Sequence, residues 1–276
     1  MRSILAVLLV VGAATIAVVK CGKSAATIAA WFGAADKPQP AAVTIDILCD
    51  ASSGSTCNDE ALREVSEAKL RAAAARPGSL VRLWMQGLSI ETTRIVASAT
   101  SPQHRATGRH ARVGTESQWI AKQCAAFQAA AGAMRKRVRR SPIAESIGVI
   151  ALAPAARGKR EIVVITDALE TSAFGQFECG RLPKPERFAR TLAARHVLPP
   201  GSLKGADVTF CHVDLGAIDG GRCEVSLGRA AEVRAIWRAA LTQAGASNVE
   251  IRRGGLETTN ATTGKESSNA QTIQSK

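Results

Sequence analysis

The chain has 276 residues, 46% of them hydrophobic, which excludes wholesale disorder. Its seven Cys are too few for a disulfide scaffold and too scattered for a zinc cluster. A balance of 36 Lys plus Arg against 23 Asp plus Glu gives a net charge of +13, which points to an acidic partner or surface and says nothing about fold.

The chain opens Met1-Arg2-Ser3 and then runs uncharged from Ile4 to Val19, where Lys20 closes it. A run of this length suits a signal-peptide core or a short anchor, falling just below the ~20 residues of a full span. Ser24 and Ala26 offer a small-x-small cleavage site, but Lys20 and Lys23 before it favour an uncleaved anchor. The expectation is a signal peptide or membrane anchor over 1–23 and a linker over 24–42, placing the rest in the periplasm or cell envelope. A cytoplasmic protein is the alternative. Six Cys follow the anchor, an even number that is compatible with an oxidising compartment and at least one disulfide. Cys49 and Cys211 also read as small buried hydrophobes inside apolar strands.

Val43–Cys49 reads as a largely apolar interior strand. A Ser/Gly loop follows, and Asn58 is placed to cap a helix through about Arg76, which Pro77-Gly78 stops. Strands are predicted at Ser79–Gln86 and Thr92–Ala99. Residues 100–114 read as a basic loop, and Thr115 as the start of a long Ala-rich helix to about Val138, with Gln118 placed for a capping box. Ser141-Pro142 signals a new helix, Ser as cap and Pro in the first turn. Arg160–Asp167 is the clearest buried strand. A helix around Pro185–His196, a strand at Asp207–Val213, a helix at Gly228–Ala244 and a short strand at Asn248–Ile251 complete a domain over 43–253. Residues 254–276 form a polar tail of disordered composition.

Strands alternating with helices imply a doubly wound, mostly parallel α/β sheet flanked by helices, Rossmann-like in plan. Such sheets bind ligands at the carboxyl ends of their strands. Three polar features fall there: Asp50-Ala51-Ser52-Ser53-Gly54-Ser55, Ser141-Pro142-Ile143, and Thr166-Asp167-Ala168-Leu169-Glu170. Hydroxyls with carboxylates from separate loops make the hard-oxygen setting that Mg²⁺ favours.

In the order and spacing of these residues the chain resembles the von Willebrand factor A-type domain. The resemblance implies a metal-ion-dependent adhesion site of the D-x-S-x-S kind, with Asp50, Ser52, Ser55, Ser141 and Asp167 as its ligands. Departures are Gly54 at the second Ser position, Ser141 in place of Thr, and Ala168 in place of the Gly after Asp167. The implied chemistry is recognition of a partner protein's carboxylate through a bound Mg²⁺, within a larger assembly and with no catalytic residue. The competing reading is that Asp50 and Asp167 cap loops or helix starts.

Residues 71–140 hold 13 Lys plus Arg against two acids, Glu91 and Glu116, so eleven of the thirteen net charges lie there. Arg105, Arg109, Arg112, Arg135, Lys136, Arg137, Arg139 and Arg140 are expected to form an anion-binding face for an acidic surface or polymer, or a solvated helix end. Nucleic acid is disfavoured, because Trp84, Trp119 and Phe127 sit in core patterns and leave no stacking platform. A basic nucleic-acid-binding or DNA-processing accessory protein and a metal-dependent hydrolase using Asp50 and Asp167 are the alternatives. Of the four His, His212 on a strand reads as core or interface, and no hydrolase signature accompanies any of them.

Overall fold

The computed structural model describes residues 41–52, 55–103, 109–134, 140–155, 158–178, 181–213 and 227–256; for Ile90, residues 109–112 and Leu227 it describes the backbone alone. The apolar run before Lys20, the linker up to Pro40, the tail from Glu257 onward, and Cys179 and Cys223 lie outside the described residues.

Six strands form one sheet: β1 (Thr44–Cys49), β2 (Leu80–Met85), β3 (Arg94–Thr100), β4 (Arg160–Ile165), β5 (Ala206–Cys211) and β6 (Asn248–Ile251). Their order is β3-β2-β1-β4-β5-β6. Every pairing is parallel except β2 with β3, the antiparallel edge. Helices α1 (Asp59–Ala74), α2 (Arg109–Met134), α3 (Ile143–Leu152), α4 (Pro185–Ala194) and α5 (Leu227–Gln243) connect them. This is the doubly wound α/β arrangement expected from the alternating pattern.

The two faces carry separate cores. Leu62, Val65 and Leu70 of α1 and Phe127 of α2 pack on Ile45, Ile47, Val81 and Leu83. On the other face α3, α4 and α5 cover β4 and β5 around four rings, Phe177, Phe188, Phe210 and Trp237. Trp237 meets the other three edge-on, at centroid distances of 6.1, 5.8 and 5.1 Å. Trp84 and Phe127 are buried and Trp119 is half-buried, as their core patterns implied.

Strand and helix limits follow the predicted spans within about two residues, with two corrections. Helix α2 begins at Arg109, inside the stretch read as a basic loop, so Thr115 and Gln118 lie within the helix and form no cap. Arg and Ala are strong helix formers, and Gly114 alone costs only ~1 kcal/mol. Cys49 is not a free thiol: it is bonded to Cys57. Cys124 and Cys211 are buried and free, and burial pushes the Cys211 thiol up to about 12, leaving it inert.

Among the described residues no helix is long and apolar enough to cross a membrane.

Candidate functional site at the sheet switch point

Chain connections reverse direction between β1 and β4, which pair in register from Thr44–Arg160 to Cys49–Ile165. Sheets of this order take ligands outside the carboxyl ends of two such strands. Asp50 directly follows β1, and Thr166 and Asp167 directly follow β4.

Asp50 is 1% exposed and gathers its neighbours. Its Oδ2 accepts hydrogen bonds from the Ser141 and Thr166 hydroxyls, each at 2.8 Å. Its Oδ1 accepts the Ser52 backbone N–H at 2.9 Å. Burial pushes the Asp50 carboxyl up from its ordinary value, and these donors pull it back. No Lys or Arg bonds Asp50 among the described residues.

Asp167 is 8% exposed, and its Oδ1 accepts the Leu169 N–H at 2.9 Å. Burial, then the neighbouring Asp50 carboxylate, push Asp167 up to about 8. Glu170 is fully buried, and burial raises it to about 8 as well. Its Oε2 accepts the Ala144 N–H at 2.9 Å in the first turn of α3, while Oε1 has no hydrogen-bond partner among the described residues.

This changes the part expected of Ser141. It does not cap α3; Pro142 holds the cap position, and Glu170 supplies the acceptor for a first-turn N–H. The Ser141 hydroxyl is thereby left for Asp50. A pair of backbone bonds with Thr171 fixes Ser141 in place, at 3.2 and 2.9 Å. Gln86, at the end of β2, donates from Nε2 to Ser141 Oγ at 3.3 Å, and its buried Oε1 has no partner among the described residues. Sequence reading missed Gln86, for which a polar residue ending an apolar strand was the only signal.

Ser52, Ser141 and Asp167 are thus brought around Asp50, joined by Thr166. Ser55 is oriented differently: its Oγ accepts the Cys57 N–H at 3.0 Å. Ala168, standing where the resemblance implies Gly, has a left-handed φ of 66° and is held by Trp237 Nε1, which donates to its carbonyl at 2.9 Å.

The donor set tests well against a hard divalent ion. It offers only oxygens, including two carboxyls with no cationic partner among the described residues, from three separate segments. Among the described residues no group of three or more His, Cys, Asp or Glu converges, so hydroxyls and water would complete the coordination.

Of the predicted anion-binding face, Arg140 is exposed. Arg105, Arg135, Lys136, Arg137 and Arg139 lie outside the described residues, and Arg109 and Arg112 are placed by backbone alone in the first turn of α2. His212 is half-buried at the end of β5, its Nε2 3.3 Å from a Glu64 carboxylate oxygen.

No family model matches the chain, and no curated protein does. Among solved structures, an aerotolerance-related membrane protein from Bacteroides fragilis NCTC 9343, bearing multiple mutations to serines, is similar over 76% of this chain and 90% of that one, at 13% identity and a TM-score of 0.34.

Proposed function

We propose that this chain is an envelope-associated recognition domain of the von Willebrand factor A type, which binds a partner protein through Mg²⁺ held at the switch point. The observation that carries the reading is the pair of buried carboxylates, Asp50 and Asp167, faced by hydroxyls and N–H groups instead of cationic side chains. A buried charge without a counter-ion costs several kcal/mol, and a bound divalent ion removes that cost. Asp50, Ser52, Ser141, Thr166 and Asp167 would hold the ion. Mg²⁺ keeps several exchangeable waters, so a carboxylate from a partner can replace one. Recognition of this kind needs no catalytic group. The Cys49–Cys57 bridge favours an oxidising compartment and so an envelope location.

Calorimetric titration with Mg²⁺ tests the reading. The wild-type domain should bind one ion, and Asp50→Ala should bind none while keeping its cooperative thermal unfolding. Crosslinking and mass spectrometry should then capture a partner with Mg²⁺ and lose it with chelator. Equal Mg²⁺ affinity in Asp50→Ala would falsify the assignment.

A further inference from the structure

The Cys49–Cys57 disulfide encloses the segment that carries Asp50, Ser52 and Ser55, its two cysteines separated by eight positions in sequence. Its anchor points are fixed without it. Cys49 ends β1, in register with Met85 on one side and Ile165 on the other. Cys57 precedes Asn58, whose side chain accepts the Ala61 N–H at 2.8 Å and caps α1. Leu62, Val65 and Leu70 dock α1 on the sheet. A covalent link between two points already held does little for docking the helix, so its effect falls on the loop between them.

Among its described residues that loop has few bonds of its own. Ser52 N–H donates to Asp50, Ser55 N–H donates to Ser52 O at 3.1 Å, and Cys57 N–H donates to Ser55 Oγ. Against them works the cost of keeping the Asp50 and Asp167 carboxyls out of water with no cationic side chain bonded to either among the described residues. A loop free to move outward would rehydrate Asp50 and break up the donor set.

We propose that the Cys49–Cys57 bridge is a positioning clamp that sets the divalent-cation affinity of the switch-point site, by holding Asp50 and Ser52 against Ser141 and Thr166 before the ion arrives. The clamp rests on the cation-site reading above. Its benefit is preorganisation, which lowers the ordering cost of binding without adding a contact. Both cysteines are buried, Cys49 at 0% and Cys57 at 6% exposure, so the folded domain shields the bridge from thiol attack. The clamp is therefore set during oxidative folding and persists afterwards.

The test compares Mg²⁺ affinity with metal-free thermal stability in four proteins: wild type, Cys49→Ala/Cys57→Ala, Asp50→Ala, and a variant with two glycines inserted between Ser53 and Gly54. The bridge-free variant should lose about 10- to 100-fold in Mg²⁺ affinity, the range carried by groups that orient metal ligands, while its unfolding stays cooperative. The glycine insertion keeps the bridge but slackens the ring, and should lose affinity by a similar factor; it decides the matter if the bridge-free variant does not fold. Wild-type affinity in the bridge-free variant or in the insertion overturns the clamp alone, provided Asp50→Ala has lost the ion. A wild-type protein that binds no Mg²⁺ overturns the cation reading and the clamp with it.

Discussion

Asp46 and Asp50 stand four residues apart, one within β1 and one just past its end, and both are buried. Their surroundings are opposite. Asp46 is matched by two guanidiniums: Arg82 donates through Nε to Oδ1 at 2.6 Å and through a terminal nitrogen to Oδ2 at 3.0 Å, and Arg160 Nε reaches Oδ2 at 2.9 Å. Trp84 Nε1 adds a fourth bond at 2.7 Å. The same arginines reach the carbonyls of Ile150, Ala151, Ala153 and Pro154 at the end of α3, so this network ties the helix to the sheet. Asp50 has hydroxyls and N–H groups for neighbours and another carboxylate nearby. A charge neutralised from within holds a fold together. A pair of buried carboxyls with no internal counter-charge is a place for an external cation.

The widest separation between the two should come from alanine substitution. Asp46→Ala leaves Arg82 and Arg160 buried without a counter-charge and should destabilise by about 3–5 kcal/mol. Chemical denaturation would measure this, and Mg²⁺ affinity should persist wherever the variant is folded. Asp50→Ala should do the reverse, abolishing Mg²⁺ binding with little change in metal-free stability. A large loss of stability in Asp50→Ala would make Asp50 a structural residue like Asp46 and erase the distinction.

A smaller effect should appear with pH. Glu170 and Asp167 sit near 8 in the folded protein, above their ordinary values of 4.5 and 3.8. Between those limits the folded state holds protons that the unfolded state has released. Stability should therefore fall as pH rises from about 4 to about 8, then level off, by on the order of a few kcal/mol. Saturating Mg²⁺ should offset the fall at the alkaline end, contributing about 2.7 kcal/mol at a hundredfold excess over Kd. Thermal melts at pH 5 and pH 8, with and without Mg²⁺, would show it. A metal-free Tm that rises over this window would mean that these carboxyls are compensated after all.

Much of this contrast was legible in the sequence, and the illegible part has definite physical causes. Apolar runs marked β1, β4 and β5 because interior strands need nothing else. The order of Asp50, Ser141 and Asp167 was visible because each adjoins a strand end or a helix start. The partners of Asp46 were not, since Arg82 and Arg160 are 36 and 114 positions away and only sheet order brings them together. Gln86 was hidden for the same reason: its neighbour Ser141 is 55 positions on. The start of α2 was misread because a cluster of positive charge resembles a loop, although Arg is itself a good helix former. Cys49 looked like a strand residue and is one; nothing local shows which of 15 pairings six Cys adopt.

The smallest expected effect concerns how the acidic crevice is shaped. Ala168 follows Asp167 with φ at 66°, a conformation that costs a residue with a Cβ roughly 1–2 kcal/mol. Ala168→Gly removes that strain. It also exposes the unfolded chain to more freedom, costing roughly 0.5–1 kcal/mol, and strips a buried methyl worth about 0.8 kcal/mol. These contributions nearly cancel, so stability should change by less than about 1 kcal/mol in either direction. Mg²⁺ affinity should also stay near wild type, because Trp237 bonds the carbonyl of residue 168, which glycine retains. A loss of several kcal/mol would instead show that the Ala168 methyl, buried in the core beneath Asp167, supports the acidic edge by packing, and that the left-handed turn is stabilised well enough to tolerate its strain.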